Sequence, residues 1–120
     1  MTEYQLGVVE ARFAAIIWDN APLTSAELTR LALQQLGWKK STTYTVLKRL
    51  CEKGLFANNG GTVEVRTSRQ EFYAMQSQRF VEETFDGSLP AFLAAFTARK
   101  RLTAEEVAQL RQMVASYEEG

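Results

Sequence analysis

The side chains that could do chemistry in this sequence are not those of a catalyst. Histidine is absent, the single cysteine Cys51 has no second thiol, and Asp19, Glu27 and Glu64 lie on separate segments with no nucleophile beside a base. The spacings that hold zinc are missing as well. What the chain concentrates instead is cationic and hydroxyl groups. The stretch WKKSTTYTVLKRLCEKG, from Trp38 to Gly54, carries Lys39, Lys40, Lys48, Arg49 and Lys53 against one acid, Glu52, in a chain of net charge zero. Lysine and arginine neutralise phosphates and release their counterions, while serine, threonine and tyrosine hydroxyls both donate and accept hydrogen bonds. That is chemistry for holding a polyanion. No enzyme activity, cofactor or metal is expected.

The remaining charge sharpens this contrast. Residues 25–57 hold six cations against Glu27 and Glu52, whereas residues 70–87 hold Glu71, Glu82, Glu83 and Asp86 against Arg79. A polyanion meets the basic middle first, because local potential rather than net charge steers encounter. The 120 residues, 46% of them hydrophobic, suffice for one core or for two small cores in series. No apolar run approaches the roughly 18 residues that span a bilayer, and the first residues lack the pattern of a secretion signal. A cytoplasmic location is expected.

Periodicity supplies the elements that must position the basic segment. Leu6, Val9, Phe13, Ile16 and Ile17 fall on one face of a helix that ends near Asn20. Thr24-Ser25-Ala26-Glu27 has capping-box spacing and opens a second helix, which Gly37 stops after Leu36 and which buries Leu28, Ala32, Leu31 and Leu36. A third helix is expected from Ser41, capped by its hydroxyl, to Gly54. Its inward stripe is Val46, Leu47, Leu50 and Cys51, with Thr43 leaning toward the core. Asn58-Asn59-Gly60-Gly61 then has hairpin-turn chemistry, between an apolar start at Leu55 and Phe56 and an alternating run from Thr62 to Thr67. Three helices followed by a two-stranded hairpin is the order of a winged helix-turn-helix, whose third helix enters the DNA major groove and whose hairpin touches the adjacent backbone.

These residues carry a family likeness. Ala21-Pro22-Leu23-Thr24-Ser25-Ala26-Glu27-Leu28, then Gly37-Trp38, then Ser41 through Leu55 resemble the penicillinase-repressor (BlaI/MecI) family, and the likeness covers nearly the whole chain. It implies a homodimeric winged-helix repressor whose first domain grips a palindromic operator and whose C-terminal helices dimerise. Carried over position by position, it places DNA-facing roles on Thr42, Tyr44 and Thr45 and phosphate contacts on Lys39, Lys40, Ser41, Lys48 and the wing's Arg66. Tyr44 stands where many relatives have a lysine or arginine. Arg49 can touch DNA or pair with an acid on the first helix; both readings stand on sequence alone.

Beyond the hairpin the helical period returns. The expected domains are a winged helix over 1–68 and a helical dimerisation region over 69–120. Phe72, Met75, Phe80, Val81 and Phe85 lie on a helix from Arg69 to Phe85. Leu89, Phe92, Leu93 and Phe96 share a face of the next, which starts near Pro90. Val107, Leu110, Val114 and Tyr117 share a face of the last, opened by a second capping box at Thr103 and Glu106. Short amphipathic helices in series cannot bury such faces alone. Either they fold back on the winged helix, or two chains interlock through Phe92, Leu93, Phe96, Val107, Leu110 and Val114. The resemblance favours the second. It further implies release by a protease linked to a membrane sensor, cutting in the region that holds Ala95 and Phe96. A copper-sensing branch of the family uses a C-terminal cysteine cluster, and this sequence has none. The competing reading is a winged-helix module that binds protein rather than DNA.

Overall fold

A computed structural model describes residues 6–119. Among them, helix α1 spans Val8–Asn20, strand β1 Leu23–Thr24, α2 Ser25–Leu36, α3 Lys40–Glu52, β2 Phe56–Asn59 and β3 Thr62–Val65, followed by α4 Arg69–Phe85, α5 Leu89–Arg99 and α6 Ala104–Glu119. The fold is mainly helical, with the three helices and small antiparallel sheet of a winged helix-turn-helix ahead of further helices. Local chemistry explains most of the boundaries. The Glu27 N–H donates to Thr24 Oγ1 at 3.1 Å, and Gly37 closes α2 in the left-handed region at φ 69°.

The chain divides into two compact units, one ending at Arg79 and the other starting at Phe80, so the division falls inside α4. The first unit holds the buried core. Phe13, Ile16 and Ile17 from α1 meet Leu28 and Ala32 from α2, Val46, Leu47 and Leu50 from α3, Phe56 and Val63 from the sheet, and Phe72 from α4. Each large apolar side chain buried there contributes about 1.5–3 kcal/mol. The expected stripe on the first helix is partly corrected. Leu6 packs on the core from a position before the helix starts, and Val9, 48% exposed, faces outward.

The wing also differs from expectation, because it has three strands rather than two. Strand order is β1-β3-β2, antiparallel throughout, with Leu23 opposite Val63 and Thr24 opposite Thr62. The Ser25 N–H extends this ladder by donating to the Gly61 carbonyl at 2.8 Å. Gly60 and Gly61 both take positive φ, as a tight hairpin turn requires, and the Gly61 N–H donates to Asn58 Oδ1 at 3.0 Å.

The start of α4 is tied to α1. Trp18 Nε1–H donates to the Thr67 carbonyl at 3.0 Å, and the Arg69 guanidinium reaches the Ala15 carbonyl and Asp19 Oδ1 while lying over the Trp18 ring. In the second unit, Ser88 Oγ accepts the Ala91 N–H, and Thr103 and Glu106 form the reciprocal box expected from their spacing. Rings of Phe80, Phe85, Phe92 and Phe96 contact one another at centroid distances of 5.6–6.1 Å. Yet no residue of α5 or α6 is buried.

Candidate nucleic-acid interface

Helix α3 offers one face to the core and the other to solvent. Thr43 is buried, and its hydroxyl donates to the Lys39 carbonyl at 3.2 Å. Lys39, Lys40, Ser41, Thr42, Tyr44, Thr45, Lys48 and Arg49 are exposed. The helix begins one residue earlier than its sequence suggests. Lys39 is the N-cap, no side chain caps it, and Ser41 lies inside the first turn, so the expected Ser41 cap is corrected. With no acid in that turn, its outward amides and the positive end of the helix dipole are flanked by two lysines. An anion is favoured there.

Two rows run along the exposed face at i, i+4 spacing. In one, Lys40, Tyr44 and Lys48 follow each other, and Lys40 Nζ sits 5.9 Å from the Tyr44 ring centroid. In the other, Thr45 Oγ1–H donates to the Ser41 carbonyl at 2.9 Å, which leaves the Thr45 oxygen lone pairs and methyl group outward. Arg49 is withdrawn from this face. Its guanidinium donates to Glu10 Oε2 on α1 at 2.9 Å.

Glu10 sits partly enclosed, which on its own raises its pKa. The Arg49 guanidinium, the Gly7 N–H and the charge of Lys53 outweigh that and hold the carboxyl below its ordinary value. The Tyr44 phenol is likewise more acidic than usual, chiefly through hydrogen bonding with Ser25, aided by Thr29 and the nearby Lys40 charge. Ser25 drew no attention in the sequence beyond its place in a capping box. Its N–H meets a partner distant in the chain, the Gly61 carbonyl, and no local pattern signals that.

The wing is electrically quiet. Glu64 is the one charged side chain between Phe56 and Val65, and its carboxylate accepts from Asn59 Nδ2 at 3.1 Å. Arg66 lies past the end of β3, at the open base of the hairpin, where its N–H donates to the Leu55 carbonyl at 2.9 Å. It stands beside the end of α3, whereas Lys39 and Lys40 stand at the start.

The residues expected to dimerise lie in the second unit. Phe92, Leu93 and Phe96 of α5 and Leu110 of α6 line one groove, and Val107, Leu110 and Val114 line a second apolar groove along α6. Leu102 and Leu110 border both. Ala95 is exposed in the middle of α5, next to Phe96.

A helix-turn-helix whose wing returns to the start of α2 and whose third helix shows a cationic, hydroxyl-rich face defines a winged-helix DNA-binding protein. The comparison with known families agrees. The family model for the penicillinase repressor matches residues 6–116, and the chain belongs to that family. It is similar to the penicillinase repressor of Bacillus licheniformis, at 24% identity over 117 residues covering 94% of this chain and 91% of that protein. Members of the family are regulatory DNA-binding proteins, not enzymes. Among the described residues, no helix is long and apolar enough to cross a membrane.

Proposed function

We propose that this chain is a transcriptional repressor that binds a palindromic operator as a homodimer. The exposed face of α3 carries this reading, since an uncapped helix start between Lys39 and Lys40 continues into a row of hydroxyls at major-groove scale. Lys39, Lys40 and Lys48 grip phosphates, Ser41 uses its hydroxyl and amide on the same backbone, and Thr42, Tyr44 and Thr45 face the base edges. Arg66 reaches backbone flanking the site from the base of the wing.

The dimer follows from the second unit. Two helices without a buried residue, with Met113 and Val114 each 59% exposed and Tyr117 84% exposed, leave apolar faces in water that a second copy covers. A two-fold axis through that region presents two α3 helices to half-sites one turn of DNA, or a multiple, apart. Cleavage at the Ala95–Phe96 region by a sensor-linked protease would cut α5 and separate Phe92 and Leu93 from the α6 residues with which they line one groove. Of residues 69–120, those from Phe80 onward serve this dimerising role, since Arg69 and Phe72 at the start of α4 pack with the first unit.

Selection from a random duplex pool tests the proposal. Enrichment of an inverted repeat supports it. Enrichment of a single half-site means that monomers bind, and no enrichment at low salt means the basic face serves a protein partner.

A further inference from the structure

Helix α1 carries an ion pair at each end. Glu10 in its first turn holds Arg49 of α3, and Asp19 in its last turn holds Arg69, the first residue of α4, at 2.8 Å. The connector ahead of α4 is fastened as well. The Thr67 carbonyl accepts the Trp18 indole N–H at 3.0 Å, and the Thr67 hydroxyl donates to the Gly54 carbonyl, just beyond α3, at 2.9 Å. The Arg69 guanidinium then lies over the Trp18 ring, 5.6 Å from its centroid, and its Nη2 also donates to the Ala15 carbonyl at 3.3 Å. Phe72 and Tyr73, one turn further on, set their rings 5.8 and 6.3 Å from that of Trp18. All of these groups belong to the first unit.

The pair of Asp19 and Arg69 is a weak source of stability. Asp19 stands at the negative end of the α1 dipole and Arg69 at the positive end of α4, so each helix disfavours the charge it carries there. The side chains are 61% and 38% exposed, and water screens their attraction. Arg69 Nε is buried and, among the described residues, has no hydrogen-bond partner, so its desolvation is not offset. What the arrangement fixes is direction. A planar guanidinium held at once by an indole face, a carboxylate and a backbone carbonyl has one orientation.

We propose that Arg69 is a positioning residue: clamped on Trp18 and Asp19 of α1, it fixes the direction of the first turns of α4 relative to α3, and so sets the half-site spacing that the dimer accepts. The clamp exists in the free protein; its effect on spacing rests on the reading of the chain as a dimeric operator-binding repressor. Helix α4 is the element through which the chain passes from the first unit to the second. One base pair inserted between half-sites turns one against the other by roughly 35° and shifts it by about 3.4 Å. A fixed start of α4 rejects the altered spacing, and a loosened one tolerates it.

The test uses the full chain with Arg69→Met, which keeps an apolar stem over Trp18, and with Asp19→Ala, a change at an exposed helical position. In the free protein, hydrogen exchange at the Trp18 indole N–H and at the Glu71 and Phe72 amides is expected to be about tenfold faster in Arg69→Met, with the Leu47 amide unchanged. On DNA, the inverted repeat is offered with its spacing lengthened and shortened by one and two base pairs. Wild type is expected to lose about tenfold or more in affinity at each altered spacing, and both variants to shrink that ratio about three- to tenfold. Affinity for a single half-site, and base preference within it, are expected to stay the same. Equal weakening at every spacing, a spacing ratio that keeps its wild-type value, or unchanged exchange at Trp18 and Phe72 would each overturn the proposal. Should Arg69→Met fail to fold, Asp19→Ala carries the same comparison. Should the wild-type chain bind no inverted repeat, the operator reading fails and takes the spacing with it, while exchange in the free protein still decides whether Arg69 holds the start of α4.

Discussion

Arg49 on α3 donates to Glu10 on α1 across 2.9 Å, and this ion pair separates the cation that fastens the recognition helix from those that face outward. The Arg49 side chain is 52% exposed and that of Glu10 17%, so the pair is a half-screened surface contact. Arg49→Ala is expected to lower unfolding stability by about 0.5–1 kcal/mol and to leave duplex affinity within about twofold. Urea denaturation and anisotropy on the same variant check it. A loss of binding comparable to that of Lys40→Ala would put Arg49 on the DNA.

The same pair sets a pH dependence. The folded pKa of Glu10 is depressed, so its contribution is fully present above the ordinary carboxylate pKa and is lost as pH falls through the folded value. Glu106, whose carboxyl is lowered by the Thr103 N–H and hydroxyl, acts in the same direction. The stability gap between wild type and Glu10→Gln is therefore expected to be constant near neutrality and to close in acid. Urea midpoints across that range measure it. A gap that widens on acidification would reverse the sign and remove the ion pair as its cause.

Phe72 makes the first turn of α4 part of the first unit. Its ring is 2% exposed and lies 5.8 Å from that of Trp18. A fragment ending at Ser68 lacks this side chain and the Arg69 clamp, so it is expected to be at least about 3–5 kcal/mol less stable than one ending at Arg79. Thermal or urea unfolding of the two fragments compares them directly. Equal stability would mean that α4 adds nothing to the core.

Leu110 borders both apolar grooves of the second unit. Leu110→Asp places a charge there, at a cost of several kcal/mol where a partner encloses it. Sedimentation at micromolar concentration is expected to show a dimer for wild type and a monomer for the variant. A variant that remains dimeric would move the seam away from Leu110.

Sequence disclosed most where the determinants are local. Thr24 with Glu27, Gly37, Thr103 with Glu106, and Gly60-Gly61 each act within a few residues, and the structure shows them as caps, a stop and a turn. Determinants from distant segments stayed hidden. Strand β1 has two residues, too few for a period, and exists because Leu23 finds Val63 forty residues later. Val63 is buried by that pairing, while Val65, beyond its reach, is 41% exposed despite sharing the same alternation. Ser41 looked like a cap because its chemistry suits one, but the turn closes on Lys39 instead. The exposed residues of α3 were legible as a set. Their sorting into outward Lys40 and fastened Arg49 depends on Glu10, which only folding brings near.

The most direct test of operator binding by α3 is the fluorescence anisotropy of a labelled inverted-repeat duplex, titrated at two salt concentrations with wild type and with the Lys39→Ala/Lys40→Ala variant. Phosphate contacts from the start of α3 predict tight binding that weakens steeply with salt, and a variant that binds all duplexes more weakly with a salt slope shallower by about two per protomer. Equal affinity and equal salt slope for the two proteins would contradict the assignment of α3 as the element that grips DNA.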